Sequence, residues 1–147
     1  MSVAAGWRPV PVGEIFTRTV TLTTEGIHEF ALAAGDMNPL HHDQMFAEAS
    51  RFGGIIASGT HYVALIMGLV ATHFTEQGRE GAGMEFAFQL KKPVRAGDTI
   101  TLRWQVAEVT PKQSLKGDIL SLIGGITTQE GIEVMTCTGK VALFYPS

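Results

Sequence analysis

The 147-residue chain predicts an α+β fold in which one antiparallel β-sheet wraps a long central α-helix. Three observations carry that expectation. Helical and loop patterns occupy residues 24–74, strand patterns occupy residues 83–145, and residues 60–74 are apolar on nearly every side, as a helix surrounded by protein is. Helices followed by strands argue against alternating βαβ units.

A first strand is expected at residues 15–22, where Thr17, Thr19 and Thr21 take alternate positions. Thr24 is the expected cap of a first helix in which Ile27, Phe30, Ala31 and Ala34 fall at i, i+3, i+4 and i+7, and Gly35 stops it. Ala57-Ser58-Gly59 then leads into the central helix, which carries Tyr62, Val63, Leu65, Ile66, Met67, Leu69 and Val70. In residues 83–91, Met84, Phe86, Phe88 and Leu90 share one face while Glu85, Gln89 and Lys91 share the other. Pro93 and Gly97-Asp98 end that strand. Residues 99–109 alternate again, with Ile100, Leu102, Trp104 and Val106 inward, and so do residues 134–143, with Met135, Cys137, Val141 and Leu143 inward. Residues 115–127 between them read as a more continuously apolar strand, joined to the last by a turn at Gln129-Glu130-Gly131.

The length fits one domain, residues 1–147, and 45% hydrophobic residues supply a core without staples. A net charge of −3, with no basic run longer than Lys91-Lys92, gives no footprint for nucleic acid or an anionic membrane. Neither is an expected partner. The single Cys137 forms no internal disulfide and is expected to pack as a small hydrophobe. The first sixteen residues lack a basic segment followed by an apolar one, and no apolar run reaches the ~20 residues that cross a bilayer, so a cytoplasmic protein is expected.

The chemistry concentrates in Gly35-Asp36-Met37-Asn38-Pro39-Leu40-His41-His42-Asp43. Asp36 and His41 are five residues apart and would diverge on a continuous helix, but Pro39 forces a turn that can bring them together. A carboxylate and an imidazole around one water suit general acid–base catalysis. The same residues also fit a plain Asx turn followed by a polar loop histidine. Gly59 opens the central helix, where free N–H groups can hold a developing oxyanion and a missing side chain lets a ligand approach. Ser58 is placed to cap that helix.

With these residues in view, Gly35-Asp36-Met37-Asn38-Pro39-Leu40-His41 and Asp43 resemble the hydratase motif of the MaoC-like (R)-specific enoyl-CoA hydratases and acyl dehydratases. Residues 51–59, Arg51-Phe52-Gly53-Gly54-Ile55-Ile56-Ala57-Ser58-Gly59, resemble that family's approach to its central helix, and Lys92-Pro93-Val94-Arg95-Ala96-Gly97-Asp98 its strand connection. The likeness covers residues 11–143. Many members carry His where this chain has Ser58, and some acyl dehydratases read Ala-Ser-Gly there. The resemblance implies a hotdog fold, an acyl-CoA substrate, and a homodimer or higher oligomer. It also implies reversible hydration of a trans-2-enoyl-CoA to an (R)-3-hydroxyacyl-CoA, a hydro-lyase reaction without a cofactor. Asp36 and His41 would grip the water, Gly59 N–H would hold the thioester oxygen, and Asn38 and Ser58 would border the substrate, Asn38 first as a loop-shaping residue.

Two other activities fit such a pocket: an acyl-CoA thioesterase, and a non-catalytic acyl-thioester-binding partner subunit. The Asp36/His41 pair argues against the first. Elsewhere, His61 is expected to be a hydrogen-bonded helix histidine, and His28 and His73 to be solvated or favoured by a helix dipole. His41, His42 and Asp43 are too close in sequence to converge on one metal ion, and no redox fingerprint or phosphate loop is present, so neither a metal nor a redox cofactor is expected.

Overall fold

The computed structural model describes residues 6–147. Residues 1–5, on which the expectation of no leader segment partly rests, lie outside the described residues. Five strands form one antiparallel sheet in the order β1-β3-β4-β5-β2, with β1 Ile15–Thr21, β2 Glu80–Leu90, β3 Thr99–Lys112, β4 Gly117–Thr128 and β5 Glu133–Phe144. The helices α1 Thr24–Ala34, α2 Gln44–Ala49 and α3 Gly59–Glu76 lie between β1 and β2 in the chain. The expected α+β architecture and the long helix against one sheet are present.

Strand patterning sets the inward face. Ile100, Leu102, Trp104 and Val106 of β3 and Met135, Cys137, Val141 and Leu143 of β5 are buried, as their alternation predicts. Trp104 ties the layers together, since its fully buried indole N–H donates to the Ile66 carbonyl of α3 at 2.8 Å. The strand expected to be continuously apolar instead alternates: Leu120, Leu122 and Ile126 point inward while Ile123 is exposed. Gly124 completes the inward row, and a Cβ there would lie 2.6 Å from both the Arg103 carbonyl and the Trp104 ring. The indole takes the space of the missing side chain.

Three expectations need correction. Thr23, not Thr24, caps α1: its extended backbone leaves its hydroxyl free to accept the Gly26 N–H at 3.0 Å, and Thr24 is already the first helical residue. The helix α3 is not enclosed on all sides, because His61, Tyr62, Ile66, Leu69, Val70 and Phe74 are buried while Ala64, Met67, Gly68 and Ala71 are exposed. Nor does β2 bury its whole apolar row. A bulge between Gly83 and Glu85 breaks its register with β5, and along the row Phe86 and Phe88 are half-buried while Met84 and Leu90 are 52% and 55% exposed. As the end strand of the sheet, β2 offers an unpaired edge beside the open face of α3.

Candidate active site

The site lies where α1, the loop after it and the start of α3 meet. Gly35 adopts a left-handed conformation (φ 73°) that ends α1, and its N–H and that of Asp36 return to the Leu32 and Ala31 carbonyls. Pro39 then starts a single 3-10 turn, Pro39–His41, whose N-cap Asn38 accepts the Leu40 N–H on its side-chain oxygen at 3.0 Å. This turn swings His41 back under Asp36. Asp43 next caps the short helix α2 by accepting the Phe46 N–H at 3.0 Å.

Asp36 and His41 meet at 3.2 Å, from Oδ2 to Nε2. The His41 ring is buried, and its Nδ1 lies 2.6 Å from the Ile56 carbonyl. A carbonyl only accepts, so Nδ1 carries a proton, and Nε2, the nitrogen beside Asp36, is the one that can take up or give a proton. The partner segment is itself fixed. Ile56 N–H donates to the Leu40 carbonyl, Ala57 N–H to Val94, and Ala96 N–H to Ile55, while Ile56 pairs with Arg95. The segments 35–43, 51–59 and 92–98, separate in sequence, are thus laced into one frame.

Ser58 is buried, and its hydroxyl donates to Asp36 Oδ2 at 2.7 Å rather than capping α3. The capping expectation fails because the side chain is turned toward the Asp36 carboxylate, a strong charged acceptor, and its oxygen makes no hydrogen bond to an α3 N–H. Asp36 Oδ1 accepts the Asn38 N–H at 3.2 Å. The Ser58 hydroxyl first, then the Asn38 N–H, hold the Asp36 carboxyl below the ordinary carboxylate value of 3.8 against a desolvation that raises it, with smaller help from the His41 and His42 rings when they carry charge. Asp36 is therefore a carboxylate at neutral pH.

Gly59 is the first residue of α3, so its N–H has no acceptor within the helix. A Cβ at this position would lie 2.7 Å from Leu90 Cδ1 and 4.0 Å from the Tyr62 hydroxyl. The bare backbone leaves room for a ligand oxygen beside that N–H. The arrangement therefore joins an imidazole nitrogen, an anionic carboxylate and a helix-terminal N–H at one place, because Ser58, which holds the Asp36 carboxylate, directly precedes Gly59. Water activation next to a developing oxyanion is the chemistry it can perform.

Of the other histidines, His28 is exposed on α1 and His73 lies in the last turn of α3, as expected, whereas His61 departs from expectation. His61 is buried against Phe30, the rings stacked at 4.4 Å, and its Nδ1 finds no partner, while burial pushes its imidazole down. His73 is not free in solvent: it pairs with Glu14 at 3.0 Å and stacks on Phe16 at 3.8 Å. His28 meets His42, whose other nitrogen lies at the Asp36 carbonyl. His41, His42 and Asp43 point to different partners and do not converge. Cys137 is buried and its thiol is pushed up to about 12, which makes it inert. Spacing revealed the Asp36/His41 pair, but Ser58 and the Ile56 carbonyl enter through contacts 22 and 15 residues distant.

A family model described as "MaoC like domain" matches residues 11–123. An (R)-specific enoyl-CoA hydratase of Aeromonas caviae is 32% identical over 117 residues, covering 80% of this chain and 81% of that protein. A 3-hydroxybutyryl-CoA dehydratase of Methylorubrum extorquens is 30% identical over 92 residues, which span 63% of this chain and 57% of that longer protein. The solved (R)-hydratase of A. caviae superposes with a TM-score of 0.80 at 26% identity, covering 93% of this chain and 98% of its own. Matched in sequence over most of its length and in fold over nearly all of it, the chain belongs to the MaoC-like family and has the hotdog fold.

Proposed function

We propose that the protein adds water reversibly across a trans-2-enoyl-CoA to give a 3-hydroxyacyl-CoA. The observation that carries this reading is the 3.2 Å approach of His41 Nε2 to Asp36 Oδ2, with the Nδ1 proton committed to Ile56. A water hydrogen-bonded to both side chains, beside their contact, gives its proton to His41 Nε2 as its oxygen bonds to C3. The C2–C3 π electrons move toward the thioester, and Gly59 N–H steadies the oxygen as it gains enolate character. The imidazolium, paired with the Asp36 carboxylate, then returns one proton to C2 from the same side. One water is consumed, and the catalyst ends as it began. The (R)-configuration is that of the A. caviae relative's activity and enters here as part of the proposal.

Room for the acyl tail is supported by a cavity of about 180 Å³ between α3 and β2, lined by Met67, Val70, Phe74 and Phe86. Met67 stands eight residues along α3 from Gly59, about 12 Å at the helical rise. A second copy of the chain is the proposed cover for the β2 edge and the outward face of α3, where Met67, Met84 and Leu90 are exposed. Light scattering on the purified protein tests it, and a monomer at micromolar concentration rejects it.

The decisive assay mixes the protein with trans-2-enoyl-CoAs of graded length, follows loss of the conjugated thioester absorbance, and determines product configuration. An (R)-3-hydroxyacyl-CoA is expected. Free thiol released from saturated acyl-CoA would point to a thioesterase, and binding without conversion would point to a partner subunit.

A further inference from the structure

We propose that His28 and His42 form a two-ring brace that positions Asp36 for the reaction, an inference that rests on the hydratase reading above. Asp36 is held on every polar group it has. Its N–H donates to the Ala31 carbonyl at 2.8 Å, and its two carboxylate oxygens accept from Asn38 and Ser58. Its carbonyl oxygen lies 2.7 Å from His42 Nε2. Since that oxygen can only accept, His42 Nε2 carries the proton, and the neutral ring presents a bare Nδ1.

That bare nitrogen lies 2.6 Å from His28 Nδ1. Two ring nitrogens at this distance share one proton, which resides on His28 Nδ1 when both rings are neutral. His28 is an exposed residue of α1, and the two rings meet edge to face with centroids 4.7 Å apart. The brace thus runs from the outer face of α1 through two imidazoles to the Asp36 carbonyl. It bears on the carboxylate because the 36–37 peptide is planar. Turning that plane would swing the Asn38 N–H away from Asp36 Oδ1 and loosen the aspartate opposite His41.

Both nitrogens of His42 are occupied, so the ring is not available as a second base. It acts through Asp36 and is a positioning residue, whereas adjacent His41 keeps Nε2 toward the carboxylate. Composition shows two neighbouring imidazoles; the structure separates their tasks by what each ring nitrogen touches.

The test measures hydration of trans-2-enoyl-CoAs by variants of the whole chain. His42→Phe keeps a ring but removes both hydrogen bonds, and is expected to lower kcat about tenfold with KM within about twofold of wild type. His42→Gln retains an amide donor and should recover most of that loss. His28→Phe, on the exposed face, should lower kcat about threefold, and adding it to His42→Phe should cost little more, because the two links act in series. A His42→Phe enzyme with unchanged circular dichroism and kcat within twofold of wild type overturns the brace, as does full additivity of the two variants. Nitrogen-15 NMR of the wild-type imidazoles gives a readout independent of turnover. His42 protonated on Nε2 and bare on Nδ1 supports the brace, and the opposite tautomer overturns it. Wild-type protein that hydrates no enoyl-CoA defeats the hydratase reading, while the NMR result still decides the pair.

Discussion

The Ser58 hydroxyl donates to Asp36 Oδ2 at 2.7 Å, bridging 22 residues and leaving α3 without a side-chain cap. The helix forgoes a local bond, and the loop carboxylate gains one. Since Gly59 follows Ser58 directly, the same bond sets the distance between the carboxylate and the N–H that opens α3.

Replacing Ser58 with alanine should raise the titration midpoint of Asp36 toward 3.8, because the largest cause of its depression is removed. The sign for stability follows. A carboxyl depressed in the folded state stabilises the fold above its unfolded pKa, and that contribution disappears as pH falls through the folded value. The stability gap between wild type and Ser58→Ala should therefore be larger at pH 7 than below pH 3. Carbon-13 NMR titration of the carboxyl and urea unfolding at the two pH values check both statements.

Asp36→Asn and His41→Gln should each lower kcat by about 10² or more, since each removes one half of the acid–base pair. The double variant should fall little below the worse single, because the two groups act as a unit. Steady-state kinetics with a short trans-2-enoyl-CoA measure this, alongside circular dichroism to show that the buried His41 position still folds. Wild-type turnover in either single variant would remove its assignment.

Much of the fold was legible because alternation in β3 and β5 directly reflects a half-buried sheet. Trp104 and Met135 fall inward by periodicity alone. Periodicity cannot see a sheet's edge, so Met84 and Leu90 read as core although, among the described residues, no further strand pairs with the outer edge of β2. The same limit made α3 look enclosed: its apolar outer residues resemble core residues until the elements packed against them are known. At the site, Pro39 exposed the turn that joins Asp36 to His41, a local effect of a single residue. Ser58 with Asp36, and His28 with His42, are pairs of polar residues on different elements, and nothing in their local sequence marks them as partners.

Gly124→Ala should destabilise the fold by about 1–3 kcal/mol, because its Cβ would meet the Arg103 carbonyl and the Trp104 ring at 2.6 Å. Backbone and a fully buried indole have little freedom to yield. Gly54→Ala makes a useful control, since no atom lies within 4 Å of its Cβ. Denaturant unfolding monitored by tryptophan fluorescence should separate the two variants, and equal stability would show that the sheet relaxes around Trp104 at no cost.

Met67→Trp should reduce kcat/KM for long enoyl-CoAs by about tenfold while leaving the shortest substrates within about twofold, because bulk would be added to the cavity about 12 Å along α3 from Gly59. A chain-length series assayed with wild type and variant measures the ratio. A uniform loss across all lengths would place the tail elsewhere.

Gly59→Pro isolates the backbone donor. Proline is tolerated at the first position of a helix, and Ser58 already has the extended conformation (φ −57°, ψ 140°) that a residue before proline prefers. The substitution therefore deletes the N–H while keeping the helix start. Gly59→Ala retains the N–H and shares the new Cβ, whose nearest neighbour is the flexible tip of the half-exposed Leu90. If this N–H holds the thioester oxygen, the proline variant should lose about 10²–10³ in kcat, and the alanine variant much less. Equal losses would make the cause steric, and wild-type kcat in Gly59→Pro would move the oxyanion site away from the start of α3.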